Sequence, residues 1–123
     1  MKFLFVLHDP PYGTERTYNG LRWARQMLNG NGNGNGNGTN EVRVFLIGDA
    51  VASVRSDQKT PNGYYNIEKM LQGLLELDAL VGICGSCLDA RGIREEDLVK
   101  GSHRSSMKEL ASWTEWADKA INV

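Results

Sequence analysis

The sequence predicts an α/β fold built on an open, mainly parallel sheet with helices on both faces. Three mainly apolar runs, residues 3–7, 42–47 and 80–84, have the length and composition of strands that are buried on both sides. Segments with apolar residues at helical spacing separate these runs. Strands that alternate with helices of this length favour parallel pairing through right-handed crossovers, so the expected architecture is a three-layer, flavodoxin-like or Rossmann-like fold.

The N-terminal apolar run is interpreted as the first strand of this sheet. One positive charge precedes it, as in a signal peptide, but residues 8–11 (HDPP) end the run before a full hydrophobic region forms. A helix is predicted over residues 14–28, because apolar residues recur there at helical spacing. These residues are Tyr18, Leu21, Ala24 and Leu28.

A helix is also expected between the second and third strands. Gly48 and Asp49 close the second strand with a predicted turn, and residues 61–63 (PNG) break the chain again before the helix begins. The apolar face of this helix consists of Ile67, Met70, Leu71, Leu74 and Leu75. A last short strand, residues 120–123, is expected to close the sheet.

Capping signals mark two helices after the third strand. Ser86 and Asp89 have the spacing of a capping box, with Asp in place of the usual Glu, and predict a short helix that ends near Gly92. Ser106 and Glu109 form a standard capping box, which opens the last predicted helix.

Length, composition and charge indicate one globular domain over residues 1–123. The hydrophobic share of 41% and the charged share of 24% are ordinary for a soluble domain. The net charge is −1, and no cluster of lysines and arginines is present to neutralise phosphates, which argues against nucleic-acid binding. No apolar stretch reaches transmembrane length, which argues against a membrane protein.

One segment, residues 29–38, consists of five consecutive Asn-Gly pairs. It holds five of the fourteen glycines and offers nothing from which a core can be packed, so it is predicted to be a flexible loop. Such regularity is typical of an engineered linker or of a natural low-complexity insertion. The segment is excluded from the functional argument.

The carboxyl edge of the sheet is the predicted functional site. In open parallel sheets, ligands and chemistry gather outside the carboxyl ends of the strands. His8, Asp49 and Cys84 lie at the ends of the first, second and third predicted strands, and should therefore converge. The two cysteines, Cys84 and Cys87, are too close in sequence for a structural disulfide framework, which favours a reducing cytoplasm.

Cys84 is the strongest candidate for a reactive residue. The amides at the start of the following helix and the positive charge of Arg91 favour its thiolate, whereas Asp89 opposes it. Gly85 would allow a ligand to approach closely. Cys87, in the first helical turn, is expected to be less reactive, because burial raises the pKa of a thiol. The alternative is a buried, inert cysteine at the end of an apolar strand.

A pair of cysteines at this spacing admits three kinds of chemistry. A metal site is disfavoured, because there is no second pair and both His8 and His103 would have to be brought in by folding. A dithiol redox centre matches the spacing of thioredoxin-like proteins, but none of the three prolines follows the motif to supply their cis-proline. Sulfur relay is the third. Nucleotide binding through Asp49 is disfavoured, because no glycine-rich phosphate-binding loop follows the first strand. No cofactor is expected.

Several segments together resemble the DsrE/DsrF-like family of small sulfur-relay proteins. The main ones are residues 3–10 (FLFVLHDP), 43–50 (RVFLIGDA) and 82–92 (GICGSCLDARG), and residues 105–110 and 116–119 also fit. The resemblance covers most of the chain, and the Asn-Gly tract is where the chain departs from it.

This resemblance implies that Cys84 accepts sulfur as a persulfide from a donor protein and passes it to an acceptor protein. Cys87 is an addition to the carrier pattern, which would resolve a persulfide into a disulfide, assist transfer or fill the helix turn. The candidate binding residues around the cysteines are His8, Asp49, Gly85, Ser86 and Arg91. The resemblance also implies a homotrimer or hexamer. A non-catalytic, oligomeric module that binds a small ligand is the remaining alternative.

Overall fold

A five-stranded parallel sheet forms the centre of the protein in the computed structural model, which describes residues 1–29 and 40–123. The strands in chain order are β1 (Lys2–Leu7), β2 (Glu41–Leu46), β3 (Leu80–Cys84), β4 (His103–Ser105) and β5 (Lys119–Asn122). Their order across the sheet is β4-β3-β2-β1-β5, and every neighbouring pair is parallel. The predicted α/β fold with an open parallel sheet is confirmed.

Within residues 1–29 and 40–123, four α-helices connect or follow these strands. They are α1 (Arg16–Leu28), α2 (Ile67–Glu76), α3 (Gly85–Ala90) and α4 (Met107–Trp116). Three short 3-10 helices, Gly48–Val54, Pro61–Gly63 and Glu95–Asp97, lie in the connections. None of the helices in the described ranges is long and apolar enough to span a membrane.

Helices cover both faces of the sheet. Phe5 packs edge-on against Trp23 of α1, with ring centroids 5.5 Å apart, and Phe45 packs in the same way against Trp113 of α4 at 6.2 Å. Phe5 is in register with Val44, and successive strand residues point to opposite faces, so Phe45 points away from Phe5. Thus α1 and α4 lie on opposite faces.

The three predicted strands are confirmed as β1, β2 and β3, and the burial of most of their residues explains why each reads as a mainly apolar run. A strand covered by helices on both sides gains from an apolar residue at every position. The fully buried strand residues are Leu4, Phe5, Leu7, Val44, Phe45, Leu46, Val81 and Ile83.

Helix and strand ends differ slightly from the predicted ones. The first helix begins at Arg16 rather than residue 14, and the closing strand runs over Lys119–Asn122 rather than residues 120–123. The Ser106 cap is confirmed, because its hydroxyl accepts a hydrogen bond from the Glu109 amide at 3.3 Å. The predicted loop at residues 29–38 lies, apart from Asn29, outside the described residues.

The edge strand β4 was not predicted. It contains only three residues, none of them buried, so it offers neither an apolar run nor enough positions for a period of two. It pairs with β3 so that Ser105 lies beside Cys84 and Arg104 beside Ile83. This pairing brings a segment twenty residues downstream to the candidate site.

Candidate functional site

Cys84 lies at the junction between β3 and α3. It is the last residue of the strand and also the N-cap of the helix, so the chain turns directly from one element into the other. The residue is only 6% exposed, and its Sγ lies 3.4 Å from the Ser86 hydroxyl oxygen. The sulfur is therefore largely shielded from bulk solvent at the carboxyl edge of the sheet.

Cys87 follows within the first turn of α3 and receives a hydrogen bond from outside the helix. The Gly48 amide donates to Cys87 Sγ at 3.2 Å. Gly48 has φ +59°, a left-handed conformation that favours glycine, and it begins the 3-10 helix after β2. The turn after β2 therefore directs a backbone donor towards the second cysteine.

The two thiols have pKa values displaced in opposite directions. Burial raises the pKa of Cys84, but hydrogen bonds from the Cys87 thiol, the Ser86 hydroxyl and their two amides outweigh it, so the net pKa is lowered. Burial and hydrogen bonding to Cys84 raise the pKa of Cys87, and the Gly48 amide offsets this only in part. Of the two, Cys84 is therefore the thiol that loses its proton more readily, and both cysteines are free rather than joined in a disulfide.

Arg91 and Asp49 bind each other rather than forming an open ligand site. Arg91 Nε and Nη2 donate to Asp49 Oδ1 at 3.0 and 2.6 Å, and Arg91 Nη1 donates to the Cys87 carbonyl oxygen at 3.1 Å. These contacts tie α3 to the 3-10 helix that carries Gly48. The positive charge of Arg91 lowers the pKa of Cys87, whereas its expected influence on Cys84 stays a prediction.

The capping box predicted at Ser86 and Asp89 does not form. Cys84 takes the N-cap position and α3 starts at Gly85, so Ser86 lies inside the helix, and no side chain caps it. The Ser86 hydroxyl interacts with Cys84 Sγ instead. Asp89 accepts two hydrogen bonds from Arg104, at 2.9 and 2.7 Å, and these contacts lower its pKa.

Gly85 makes room for a side chain of the protein itself. A Cβ atom at this position would lie 2.8 Å from Arg104 Nε and 2.9 Å from Arg104 Cζ. The guanidinium of Arg104 thus approaches Gly85 closely, and the approach of a ligand at this position stays a prediction. Arg104 was not predicted as a site residue, because the strand β4 that carries it was not predicted. The signal that could have indicated this strand is a short segment between Gly101 and the Ser106 cap, which is a typical position for a strand that leads into a helix.

The His8 side chain points away from the cysteines. Its Nε2 lies 3.0 Å from Asn122 Oδ1 at the end of β5, on the far side of β1 from β3. Only its backbone comes near the site, since the His8 carbonyl oxygen lies 3.7 Å from the position of a Cβ on Gly48. Asp9 accepts a hydrogen bond from the Thr14 hydroxyl at 2.8 Å. The ends of β2 and β3 therefore lie close together as expected, but the His8 side chain lies away from the two cysteines.

Within residues 1–29 and 40–123, no group of three or more His, Cys, Asp or Glu side chains is placed to hold a metal ion. The site combines a largely buried cysteine whose pKa is lowered, a partly exposed cysteine whose pKa is raised, and two arginine–aspartate pairs. Its chemistry in the described part of the chain is that of sulfur nucleophiles.

The comparison with known proteins agrees with the motifs at this edge of the sheet. A model of the DsrE/DsrF-like family matches residues 1–123. The chain belongs to the DsrE/DsrF-like family. This DsrE/DsrF-like protein is 36% identical to protein YchN of Escherichia coli over 120 residues, 98% of this chain and 97% of YchN. It is 34% identical to the uncharacterized protein MJ0989 of Methanocaldococcus jannaschii over 121 residues, 98% of each chain.

Solved structures of other proteins share the fold. The crystal structure of E. coli YchN superposes with a TM-score of 0.88 and 35% identity, covering 100% of this chain and 99% of that one. The structure of protein MTH1491 from Methanobacterium thermoautotrophicum has a TM-score of 0.75 at 16% identity, with 99% and 98% coverage. The second similarity concerns the fold alone, whereas the first also supports membership of the DsrE/DsrF-like family.

Proposed function

We propose that this DsrE/DsrF-like protein is a cysteine-persulfide carrier or transferase of a sulfur relay, in which Cys84 holds the sulfur. The observation that supports this most is the pair of thiols with opposite pKa displacements at the end of β3. A thiolate is the form that attacks sulfur, and a protonated neighbour does not compete with it. The lowered pKa of Cys84 and the raised pKa of Cys87 favour this division between a nucleophile and a protonated neighbour.

The transfer step needs no oxidant or reductant. The Cys84 thiolate attacks the terminal sulfur of a donor persulfide, R–S–SH, so that a Cys84 Sγ–S bond forms and the donor S–S bond breaks. The donor leaves as the thiolate R–S⁻, and the proton stays on the transferred sulfur. Attack by an acceptor thiolate on this terminal sulfur reverses the step and restores the Cys84 thiolate.

Cys87 determines how long the persulfide survives. If the Cys87 thiolate attacks Cys84 Sγ of the persulfide, a Cys84–Cys87 disulfide forms and hydrosulfide, HS⁻, leaves. The raised pKa of Cys87 keeps it mainly protonated and slows this reaction. A carrier that must deliver sulfur rather than release it benefits from this restraint.

The burial of Cys84 restricts the donor. A residue that is 6% exposed does not present its sulfur to a bulky reagent, so a slender persulfide group or a local opening is required. We propose that the donor and the acceptor are proteins that insert a cysteine at the carboxyl edge of the sheet, next to α3.

The second candidate function is a dithiol redox protein. The presence of two free cysteines three positions apart at the start of α3 favours it, because a disulfide between them would close a short loop. In that reaction, a disulfide substrate accepts two electrons, and Cys84 and Cys87 become joined while the substrate leaves as two thiols. Its product differs in mass from a persulfide, which makes the two functions separable.

The test is the intact mass of the protein after treatment with a limiting amount of inorganic polysulfide, followed by peptide mapping. The wild type is expected to gain one sulfur atom on Cys84, which a reductant removes. Cys84→Ser should gain none. Cys87→Ser should still load sulfur on Cys84, with an altered yield, because the resolving thiol and one hydrogen-bond donor are changed.

The two serine variants serve as matched controls for each other, since serine is nearly the size of cysteine and both proteins should remain folded by circular dichroism. Loss of two hydrogens without added sulfur in the wild type would favour the dithiol function over the carrier. Sulfur found mainly on Cys87, or no mass change under any condition, would contradict the assignment of Cys84.

A further inference from the structure

Arg104 lies beside the reactive strand although it is distant in sequence. It occupies the middle of β4, in register with Ile83, while the next residue, Ser105, is in register with Cys84. Its guanidinium turns towards the start of α3. A second arginine thus stands close to the cysteines, in addition to Arg91, which binds Asp49 and the Cys87 carbonyl oxygen.

The position of the guanidinium depends on the absence of a side chain at Gly85. A Cβ there would meet Arg104 Nε, Cζ and Nη2 at 2.8, 2.9 and 3.0 Å, which is closer than such atoms approach in proteins. Gly85 is the residue that directly follows Cys84. The guanidinium therefore lies across the backbone at the junction of β3 and α3.

Asp89 holds the guanidinium in place. Arg104 Nη1 and Nη2 donate to the two carboxylate oxygens of Asp89 at 2.9 and 2.7 Å, the paired geometry that fixes both groups in one plane. Glu95 lies farther away, 4.0 Å from Arg104 Nε. The carboxylate of Asp89 thus both orients Arg104 and neutralises much of its charge.

We propose that Arg104 is a positioning residue of the Cys84 site. Its guanidinium stabilises the Cys84 thiolate across Gly85, and Asp89 sets the size of this stabilisation by neutralising part of the arginine charge. The inference rests on the proposed function only in taking Cys84 as the reactive thiol. It concerns the state of the thiol before any sulfur arrives, so it can be tested without a sulfur donor.

The charges favour this role. Hydrogen bonding to Asp89 raises the pKa of Arg104 most, and the negative charge of Cys84 acts in the same direction. A Coulomb interaction is reciprocal, so the same pair stabilises the Cys84 thiolate. Its contribution is smaller than that of the hydrogen bonds from Cys87 and Ser86, which are the main favourable influences on Cys84.

Two substitutions that break the same ion pair should have opposite effects. Arg104→Gln removes the positive charge, so Cys84 should lose thiolate and its alkylation should need a higher pH. Asp89→Asn leaves Arg104 without its neutralising partner, so a larger fraction of Cys84 should be thiolate. Its alkylation should then occur at lower pH. Each change in thiolate fraction is expected to be about threefold, the size of a charge interaction that solvent screens.

The experiment is the rate of alkylation by iodoacetamide as a function of pH, with the modified cysteine identified by peptide mapping. Arg104→Lys keeps a positive charge and should restore most of the wild-type profile. Gly85→Ala should act like Arg104→Gln, because the new Cβ displaces the guanidinium without deleting it. Arg94→Gln is the matched control, since Arg94 forms an exposed ion pair with Glu96 at 2.9 Å and should leave the profile unchanged.

The remaining charged groups near the site stay unchanged in these variants. They are Asp49 and Arg91 on the side of Cys87, Glu95 beyond Arg104, and the His103–Glu109 pair on β4 and α4.

A purely structural ion pair would make Arg104→Gln and Asp89→Asn move the profile in the same direction or not at all, and that result would overturn the proposal. Opposite shifts in a protein that never loads sulfur would support the role of Arg104 and contradict only the carrier function.

Discussion

Trp113 is expected to anchor α4 to the sheet. Replacing it tests how much this contact contributes to the stability of the fold. Trp113 is 5% exposed and is the buried residue of α4. Its ring packs edge-on against Phe45 and against His103, with centroids 6.2 and 5.8 Å away. The missing side chain of Gly82 creates the space, since a Cβ there would lie 3.1 Å from Trp113 Cη2.

The expected cost of Trp113→Ala is about 4 kcal/mol of unfolding free energy. Burial of about 200 Å² of indole is worth roughly 5 kcal/mol, and the alanine methyl group retains about 1 kcal/mol of that. The value falls within the range of about 3–5 kcal/mol measured when large aromatic residues in protein cores are truncated to alanine. Trp113→Phe keeps a ring against Phe45 and should lose less.

The assay is urea denaturation at one fixed protein concentration, so that any self-association contributes equally to each variant. Trp116→Ala is the matched control on the same helix, because Trp116 is only partly buried and its main partner is Arg43, 3.8 Å from the ring centroid. It should lose about 1 kcal/mol. A loss at Trp113 no larger than that at Trp116 would refute the view that Trp113 anchors the helix.

Two further predictions concern acid stability and association. Burial raises the pKa of Glu109, but hydrogen bonds from Ser105 and His103 outweigh it, so the net pKa is lowered. The ionised carboxylate therefore stabilises the fold above its unfolded pKa of about 4.3, and this stabilisation is lost as the pH falls through the lower folded pKa. Urea denaturation at about pH 7 and about pH 3 should therefore show a smaller acid-induced loss in Glu109→Gln than in the wild type, and an equal loss would count against the contact. Large apolar side chains remain exposed, among them Met107 at 60% and Leu80 at 46%, and we expect a homotrimer or hexamer in sedimentation at micromolar concentration, so a single monomer boundary would be the contrary result.

The three central strands and the place of Cys84 at the end of the third were predictable from the sequence. Most residues of β1, β2 and β3 are buried, and strands covered on both faces are mainly apolar, so these three are recognisable without any knowledge of their partners. Cys84 ends the third run, and the carboxyl ends of parallel strands form the edge where chemistry gathers. The Ser106 cap was also readable, because its hydroxyl bonds an amide three residues away.

The groups that surround Cys84 are evident only in the folded structure. Gly48 donates to Cys87 across 39 positions of the chain, and Arg104 reaches Asp89 across 15. Local spacing predicted a helix cap for Asp89 and an interaction of Arg91 with Cys84, whereas the fold pairs Asp89 with Arg104 and Arg91 with Asp49. Local spacing specifies periodic elements and caps, but the pairing of charges depends on which strand ends become neighbours, and the three-residue strand β4 that carries Arg104 has too few positions to reveal itself.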